Sequence, residues 1–433
     1  MVDAVPKSCL YSNIRLHGHP RVSTSMQFRG VALKPCYATT MEHACAGLVA
    51  EVTSTAFGDL STLSREHEAE SAINEVDNSS PFKKLKTESV AMSMDRIANA
   101  WKHWRKLGEP KLIVAPMVDQ SELPFRMLCR KYGATAAYTP MLHARLFAEC
   151  AKYRAGEFTT CPEDRPLFVQ FCANDPEKLL AAAQLVEPYC DYVDINLGCP
   201  QRIAKRGNYG AFLMDDLPLV QSLVKKLAAN LSVPVSCKIR IFPKLEDTLS
   251  YARMLEEAGC SLLAVHGRTR DQKDGKVIRA DWSAIKAVKQ ALNIPVLANG
   301  NIRCLKDVHE CLRETGADGV ISAESLLENP ALFAGYHLAD ATPDDGNPED
   351  ANETELDQPK LLLEYLDLFE KYPVPQRMVR AHVHRMLGNW FRKHPDVREE
   401  LNKESKLSKD FLESLVRSLQ DRNDRIPLVL HKS

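Results

Sequence analysis

A chain of 433 residues, 45% hydrophobic and 26% charged, has an ordinary globular composition and room for one large domain plus an accessory one. Its formal net charge of −1 excludes a global basic field, so any nucleic-acid binding has to use a local patch. Thirteen cysteines without a CxxC pair or regular spacing argue against a disulfide framework and a structural zinc site and for a reducing compartment, and no apolar run reaches transmembrane length.

Residues 1–95 show no sustained periodicity and carry Ser/Thr-rich and Glu-rich runs, the composition of an unstructured extension. Between Ala4 and Met41 there is no acid, while Lys7, Arg15, Arg21, Arg29 and Lys34 occur. That pattern suits an organelle-targeting segment or a plain tail. Lys83-Lys84-Leu85-Lys86 reads as a nuclear signal or as solvated charge, which leaves cytoplasm, nucleus and organelle all open.

From Lys111 a strand/helix alternation begins, and residues 96–338 are expected to form the main domain. Strand-like runs are Leu112–Ala115, Ala134–Tyr138, Leu167–Phe171, Tyr192–Asn196, Val235–Ile239, Leu262–His266, Val296–Asn299 and Gly319–Ser322. Helical patterns fill the gaps, among them Pro176–Tyr189, Pro218–Asn230, Asp247–Ala258 and Leu305–Thr315. Eight such units predict an α/β fold, a (β/α)8 TIM barrel. A doubly wound open sheet would want a Gly-rich turn after its first strand, where this chain has Ala115-Pro116-Met117.

Residues 339–358 read as an acidic linker, and residues 359–433 as a small helical domain. Its segment from Lys371 to His394 contains Arg377, Arg380, Arg385, Arg392 and Lys393 and no acid. Val379, Val383, Met386 and Trp390 fall at helical spacing and predict the buried stripe. Arg377, Arg380 and His384 then share another face, either solvated or turned to RNA.

The stretch Asp191-Tyr192-Val193-Asp194-Ile195-Asn196-Leu197-Gly198-Cys199-Pro200 is a strand that stops at a corner. Gly198 and Pro200 break it and hold Cys199 in a turn beside Asn196. Taken alone, Cys199 is as well explained as a small buried hydrophobe. In a (β/α)8 barrel, however, the active site is built from the C-terminal ends of strands. The first strand here ends in Pro116-Met117, the third in Gln170 and the fourth in Asn196 with Cys199. The fifth carries Lys238 and Arg240, and the sixth His266 and Arg268. The seventh ends in Asn299-Gly300-Asn301 and the eighth in Ser322-Ala323-Glu324. Such a ring of polar groups is hard to explain as packing, because buried polar groups cost free energy unless partnered.

Six motifs in this order give a resemblance. They are Ala115-Pro116-Met117, Val169-Gln170-Phe171, Asn196-Leu197-Gly198-Cys199-Pro200, Lys238-Ile239-Arg240, His266-Gly267-Arg268-Thr269 and Ala298-Asn299-Gly300. Residues from about 111 to 337 resemble the FMN-dependent tRNA-dihydrouridine synthases. Met117–Leu123 and Lys205–Leu213 look like the eukaryotic (16/17) subgroup. The resemblance implies reduction of the C5–C6 double bond of a tRNA uridine, with NADPH or NADH re-reducing the flavin. It places Cys199 as proton donor, and Pro116, Met117, Val118, Gln170, Lys238, His266, Asn299, Gly300, Asn301, Ala323 and Glu324 on FMN. Asn196, Arg240 and Arg268 fall near the uracil or flavin, and Arg202, Lys205 and Arg206 where the RNA backbone would pass. It assigns Arg377, Arg380 and Arg385 to tRNA, through a tRNA-binding helical domain, and implies a monomer without metal. Glu324 departs from the arginine that many members carry and cannot neutralise a phosphate, which leaves backbone N–H groups to do so. A flavin barrel acting on a small molecule, like a dihydroorotate dehydrogenase, would not need the basic tail, and an inactive tRNA-binding protein would not need Cys199, Lys238 and His266.

Overall fold

The computed structural model of the chain describes residues 81–273, 278–337 and 356–423. Among them the strands are β1 (Leu112–Val114), β2 (Ala136–Tyr138), β3 (Leu142–His143), β4 (Leu167–Cys172), β5 (Tyr192–Leu197), β6 (Val235–Ile241), β7 (Cys260–Thr269), β8 (Val296–Asn299) and β9 (Gly319–Ser322). All pairings are parallel; β1 joins both β2 and β9, and β2 joins β4, so eight strands close into a barrel with β3 appended to β4. The eight expected strands are all present. The two-residue β3 was not expected, being too short to show a period.

Alternation along each strand decides the architecture. One parity, including Val114, Ala137, Val169, Val193, Ile195, Ile239, Val265 and Val320, packs against the surrounding helices. The other parity points into the barrel and forms a separate cluster of Ile113, Ala115, Ala136, Tyr138, Phe168, Tyr192, Leu262, Ala264, Leu297 and Ile321. That cluster fills the N-terminal half of the barrel. Continued toward the C-terminal ends, the same parity reaches Gln170, Asp194, Asn196, Lys238, His266 and Asn299. Each strand is therefore apolar below and polar above on one face, which lifts the chemistry to one end of a packed core.

The helices follow their local signals. Asp175, Asp216, Asp281 and Asp357 cap helix N-termini with their side chains. Gly259 and Gly316, at φ of +113° and +66°, terminate Leu245–Ala258 and Leu305–Thr315. The helix Pro81–Lys106 corrects the expected boundary at residue 96, because it starts within the stretch read as unstructured. Its last turns bring Trp104 to 1% exposure against the interior cluster, so it closes the bottom of the barrel. A tryptophan buried this way contributes about 3–5 kcal/mol relative to alanine. Residues 1–80, most of the acidic linker and residues 424–433 lie outside the described residues.

Beyond the linker, Gln358–Lys371, Gln376–Met386, Gly388–Lys393, Pro395–Lys403 and Lys409–Asn423 form the helical region. Val379, Val383 and Met386 are buried as expected, and Trp390 is half-buried. This region is docked on the barrel through Glu122, which accepts hydrogen bonds from Tyr365 Oη at 2.9 Å and His382 Nε2 at 2.9 Å. The His382 ring stacks on Phe125 with centroids 4.4 Å apart.

Candidate active site at the strand ends

Strand register lines up the site before any side chain is considered. Gln170 stands opposite Asp194, Asn196 opposite Lys238, and His266 opposite both Arg240 and Asn299. The side chains then connect. Ser236 Oγ donates to Asp194 Oδ1 at 2.6 Å, and Gln170 Nε2 donates to Asp194 Oδ2 at 2.8 Å. Asn196 Nδ2 donates to Gln170 Oε1 at 2.7 Å. Asn196 Oδ1 accepts from the N–H groups of Gly198 at 3.2 Å and Cys199 at 3.0 Å. The turn carrying Cys199 is thus anchored to a buried polar relay, not merely bent by Gly198 and Pro200. Gly198 itself is pressed against β6, where an added Cβ would stand 3.2 Å from the Ile239 carbonyl carbon.

A second network crosses β6 to β9. Lys238 Nζ donates to Asn299 Oδ1 at 2.8 Å, and Asn299 Nδ2 donates to the Ile321 carbonyl at 2.9 Å. Arg268 Nη1 lies 2.9 Å from His266 Nε2. A guanidinium only donates, so that nitrogen accepts and the imidazole carries its proton on Nδ1. Arg268 also donates to Asn301 Oδ1 at 2.8 Å. Gly300 and Asn301 turn through left-handed backbone, φ +116° and +63°, and a Cβ on Gly300 would stand 3.2 Å from His266 Cδ2.

Burial governs the electrostatics. It pushes the Asp194 carboxyl up to about 6, against the hydrogen bonds from Ser236 and Gln170 and the Lys238 charge. Burial, followed by the charge of Arg240, brings Lys238 down to about 8. Burial and then the Arg268 charge bring Arg240 down to about 10. His266 is driven well below the usual histidine range by burial and by Lys238, Arg240 and Arg268, so it is neutral. Burial raises the Cys199 thiol, with the Gln201 backbone, Arg240 and Lys238 opposing. That thiol is protonated at neutral pH.

A cavity of about 930 Å³ opens over the ends of β6 to β9. Its walls include Arg240, His266, Arg268, Asn299, Gly300, Asn301, Ala323 and Glu324 from the expected set. Lys273, Arg279 and Arg303, the last ion-paired with Asp307 at 3.1 Å, add cationic side chains that sequence reading missed, since these residues lie in loops without a motif. Gln170, Asn196, Lys238 and Cys199 are not in its wall. They adjoin it through the Lys238–Asn299 bond and through Arg240 Nε, which donates to the Gly198 carbonyl at 2.9 Å. Pro116, Met117 and Val118 follow β1, with Val118 49% exposed. Asp194 and Ser236 were also missed as site residues. Their signal was the alternation Tyr192, Asp194, Asn196, which puts Asp194 on the interior parity.

Arg202, Lys205 and Arg206 occupy the short helix Arg202–Gly207 directly after the Cys199 turn, all exposed. In the C-terminal region the basic residues have partners within the fold, with Arg377 and Arg385 remaining partly exposed. Arg377 forms ion pairs with Asp119 at 3.0 Å and Glu157 at 2.7 Å. Arg380 donates to the backbone carbonyls of Leu401 and Glu404. Arg385 reaches Glu324 at 3.4 Å. The segment lacks acids of its own, but the fold brings acids and carbonyls to it from other elements.

Among the described residues no group of three His, Cys, Asp or Glu side chains could hold a metal ion, and no helix is long and apolar enough to cross a membrane.

Comparison with known proteins supplies a family. Residues 113–423 match the family model described as Dihydrouridine synthase (Dus). A rat protein named tRNA-dihydrouridine(16/17) synthase-like is 50% identical over 306 residues, which cover 69% of this chain and 65% of that protein. The Saccharomyces cerevisiae tRNA-dihydrouridine(16/17) synthase is 45% identical over 306 residues, 68% of this chain and 70% of that protein. A human tRNA-dihydrouridine(20a/20b) synthase-like protein is 45% identical over 232 residues, 53% of this chain and 72% of that protein. The chain thus spans about two thirds of the length of the rat relative.

Proposed function

This chain belongs to the dihydrouridine synthase family, and from that premise we propose that it reduces uridines of tRNA to dihydrouridine, using FMN and NADPH or NADH. Position 16/17 is the favoured target, because the rat and Saccharomyces cerevisiae matches bearing that name extend over more of this chain than the human 20a/20b match does. The observation that carries the reading is the turn after β5. There a protonated thiol stands on a turn whose backbone N–H is held by Asn196, within the same network as Gln170 and beside Lys238.

The residues present fit a flavin mononucleotide. The cavity has the volume of a cofactor site, about 300–1,000 Å³. Arg268, Lys273, Arg279 and Arg303 in its walls suit an anionic phosphate, and Gly300 leaves room where a side chain would meet His266. His266, Arg268 and the wall formed by Asn299–Asn301, Ala323 and Glu324 would hold the phosphate end. Gln170, Lys238, Pro116, Met117 and Val118 would hold the ring. When bound, the flavin supplies hydride to C6 of the uracil. Lys238, held by its bond to Asn299, would place its ammonium against negative charge on the reduced ring. Asn196 keeps one Nδ2 proton uncommitted to Gln170 and would offer it to the uracil edge. Cys199 would hand its proton to C5 as negative charge develops there. The base must leave its stack to lie in the site, and Arg202, Lys205 and Arg206 would take the flanking phosphates.

The experiment is a single-turnover oxidation of the FMN-loaded, pre-reduced chain by unmodified tRNA, for wild type and Cys199→Ala. Dihydrouridine formation should fall about 10²–10⁴-fold in the variant, while flavin reduction by NADPH and tRNA binding persist. A wild-type rate in the variant would remove Cys199 from the chemistry. A protein that binds no FMN and forms no dihydrouridine would sink the whole reading.

A further inference from the structure

The relay beneath Cys199 has a direction, held at one end by a carboxylate and at the other by the Gly198 and Cys199 N–H groups. An ionised carboxylate only accepts hydrogen bonds, whereas an amide can present either end. Asp194 takes Gln170 by Nε2, which leaves Gln170 Oε1 for Asn196 Nδ2, and Asn196 Oδ1 for the Gly198 and Cys199 N–H groups. Reversing the links would set an Asn196 N–H against the N–H of Cys199. We propose that Asp194 is a positioning residue, whose acceptor-only carboxylate fixes the amide orientations of Gln170 and Asn196 and so the turn of Cys199 and the pattern of donors shown to cofactor and base. Only the last step, toward cofactor and base, rests on the dihydrouridine synthase reading. The relay is a property of the protein.

A fully buried carboxylate is a costly way to fill space, since burial of a charge is unfavourable unless it is partnered. Asp194 is bonded to Ser236 and Gln170 and lies near the Lys238 ammonium of β6 and the Tyr138 phenol of β2, while the Cys237 thiol of β6 packs on the opposite, helix-facing side. Burial raises its carboxyl to about 6, so it is ionised at neutral pH and becomes a donor as pH falls through that range.

The test is a double-variant cycle. Ser236→Ala leaves a carboxylate that still accepts from Gln170. Asp194→Asn can turn its amide N–H to Ser236 Oγ and keep its oxygen for Gln170. In the combined variant, Gln170 is the remaining relay partner for that N–H, and the relay inverts. Each single change should slow flavin oxidation by tRNA roughly 3-fold, and the pair on the order of 100-fold, as displaced catalytic groups do. The wild-type rate should decline as pH drops through about 6, and Asp194→Asn should be flat there. Peptide-resolved alkylation of Cys199 by iodoacetamide, on the full chain without FMN, should change by the same non-additive pattern. Adding Gln170→Glu to the pair restores an acceptor-only link to Asn196, and should return Cys199 alkylation to the wild-type rate. Additive losses, an unmoved acid limb, or no restoration would overturn the proposal. Absence of dihydrouridine formation in wild type would instead defeat the functional reading, and the alkylation cycle would still decide the relay.

Discussion

Lys238 illustrates how a residue's place on a strand changes its chemistry. Its parity points it into the barrel, where burial and Arg240 lower its pKa to about 8. An unfolded lysine titrates near about 10.4. Between those values the unfolded chain binds more protons than the folded one, so stability rises with pH there. Below about 8 the folded protein holds a buried ammonium at a cost of up to about 3 kcal/mol. Lys238→Met should therefore abolish the rise in stability between about pH 8 and 10 and weaken FMN binding. Chemical denaturation of the cofactor-free protein across that range is the check. Parallel stability curves for wild type and variant would show that the lysine is not strained by its site.

At the scale of elements, two basic helices carry similar sequence signals and have different surroundings. Arg202–Gly207 leaves Arg202, Lys205 and Arg206 exposed beside Cys199. Gln376–Met386 commits Arg377 and Arg380 to the protein, the latter capping the carbonyls at the end of Pro395–Lys403. Each cation withdrawn from a phosphate should flatten the dependence of log affinity on log salt by about 0.7–0.9. Replacing Arg202, Lys205 and Arg206 by alanine should accordingly reduce the slope for tRNA by about 2–3. Arg380→Ala should leave the slope unchanged and lower thermal stability. Filter binding at several salt concentrations, with melting curves of the free proteins, separates these outcomes; the reverse pattern would return the RNA surface to the C-terminal helix.

Among the described residues, barrel and helical region are joined through contacts that include a buried one at Glu122 and several exposed ones. Arg377 with Asp119 and Glu157 is conspicuous, yet exposed ion pairs contribute only about 0.2–1 kcal/mol. The Glu122 carboxylate, 3% exposed, accepts from Tyr365 and His382. Removing one donor from a buried charge costs about 1.5–3 kcal/mol. Tyr365→Phe should thus destabilise the protein more than Arg377→Ala does, and should open the junction to protease. A larger loss from Arg377→Ala in denaturant titrations would reverse this order.

What the sequence determined by itself was local and periodic. The alternation of strand and helix patterns predicted a closed parallel barrel, because each signal lies within a few residues of what it specifies. The ring of polar strand ends was legible for the same reason: parity along a strand is carried by the strand. Tertiary structure decided which of those groups hold one another. The Asp194–Gln170–Asn196 relay joins residues on two strands, and Ser236 adds a third. The positive wall of Lys273, Arg279 and Arg303 comes from loops. The partners of the basic residues in 371–394 were likewise invisible in that segment, because Asp119, Glu157 and Glu324 come from other elements that only the fold brings beside Arg377 and Arg385.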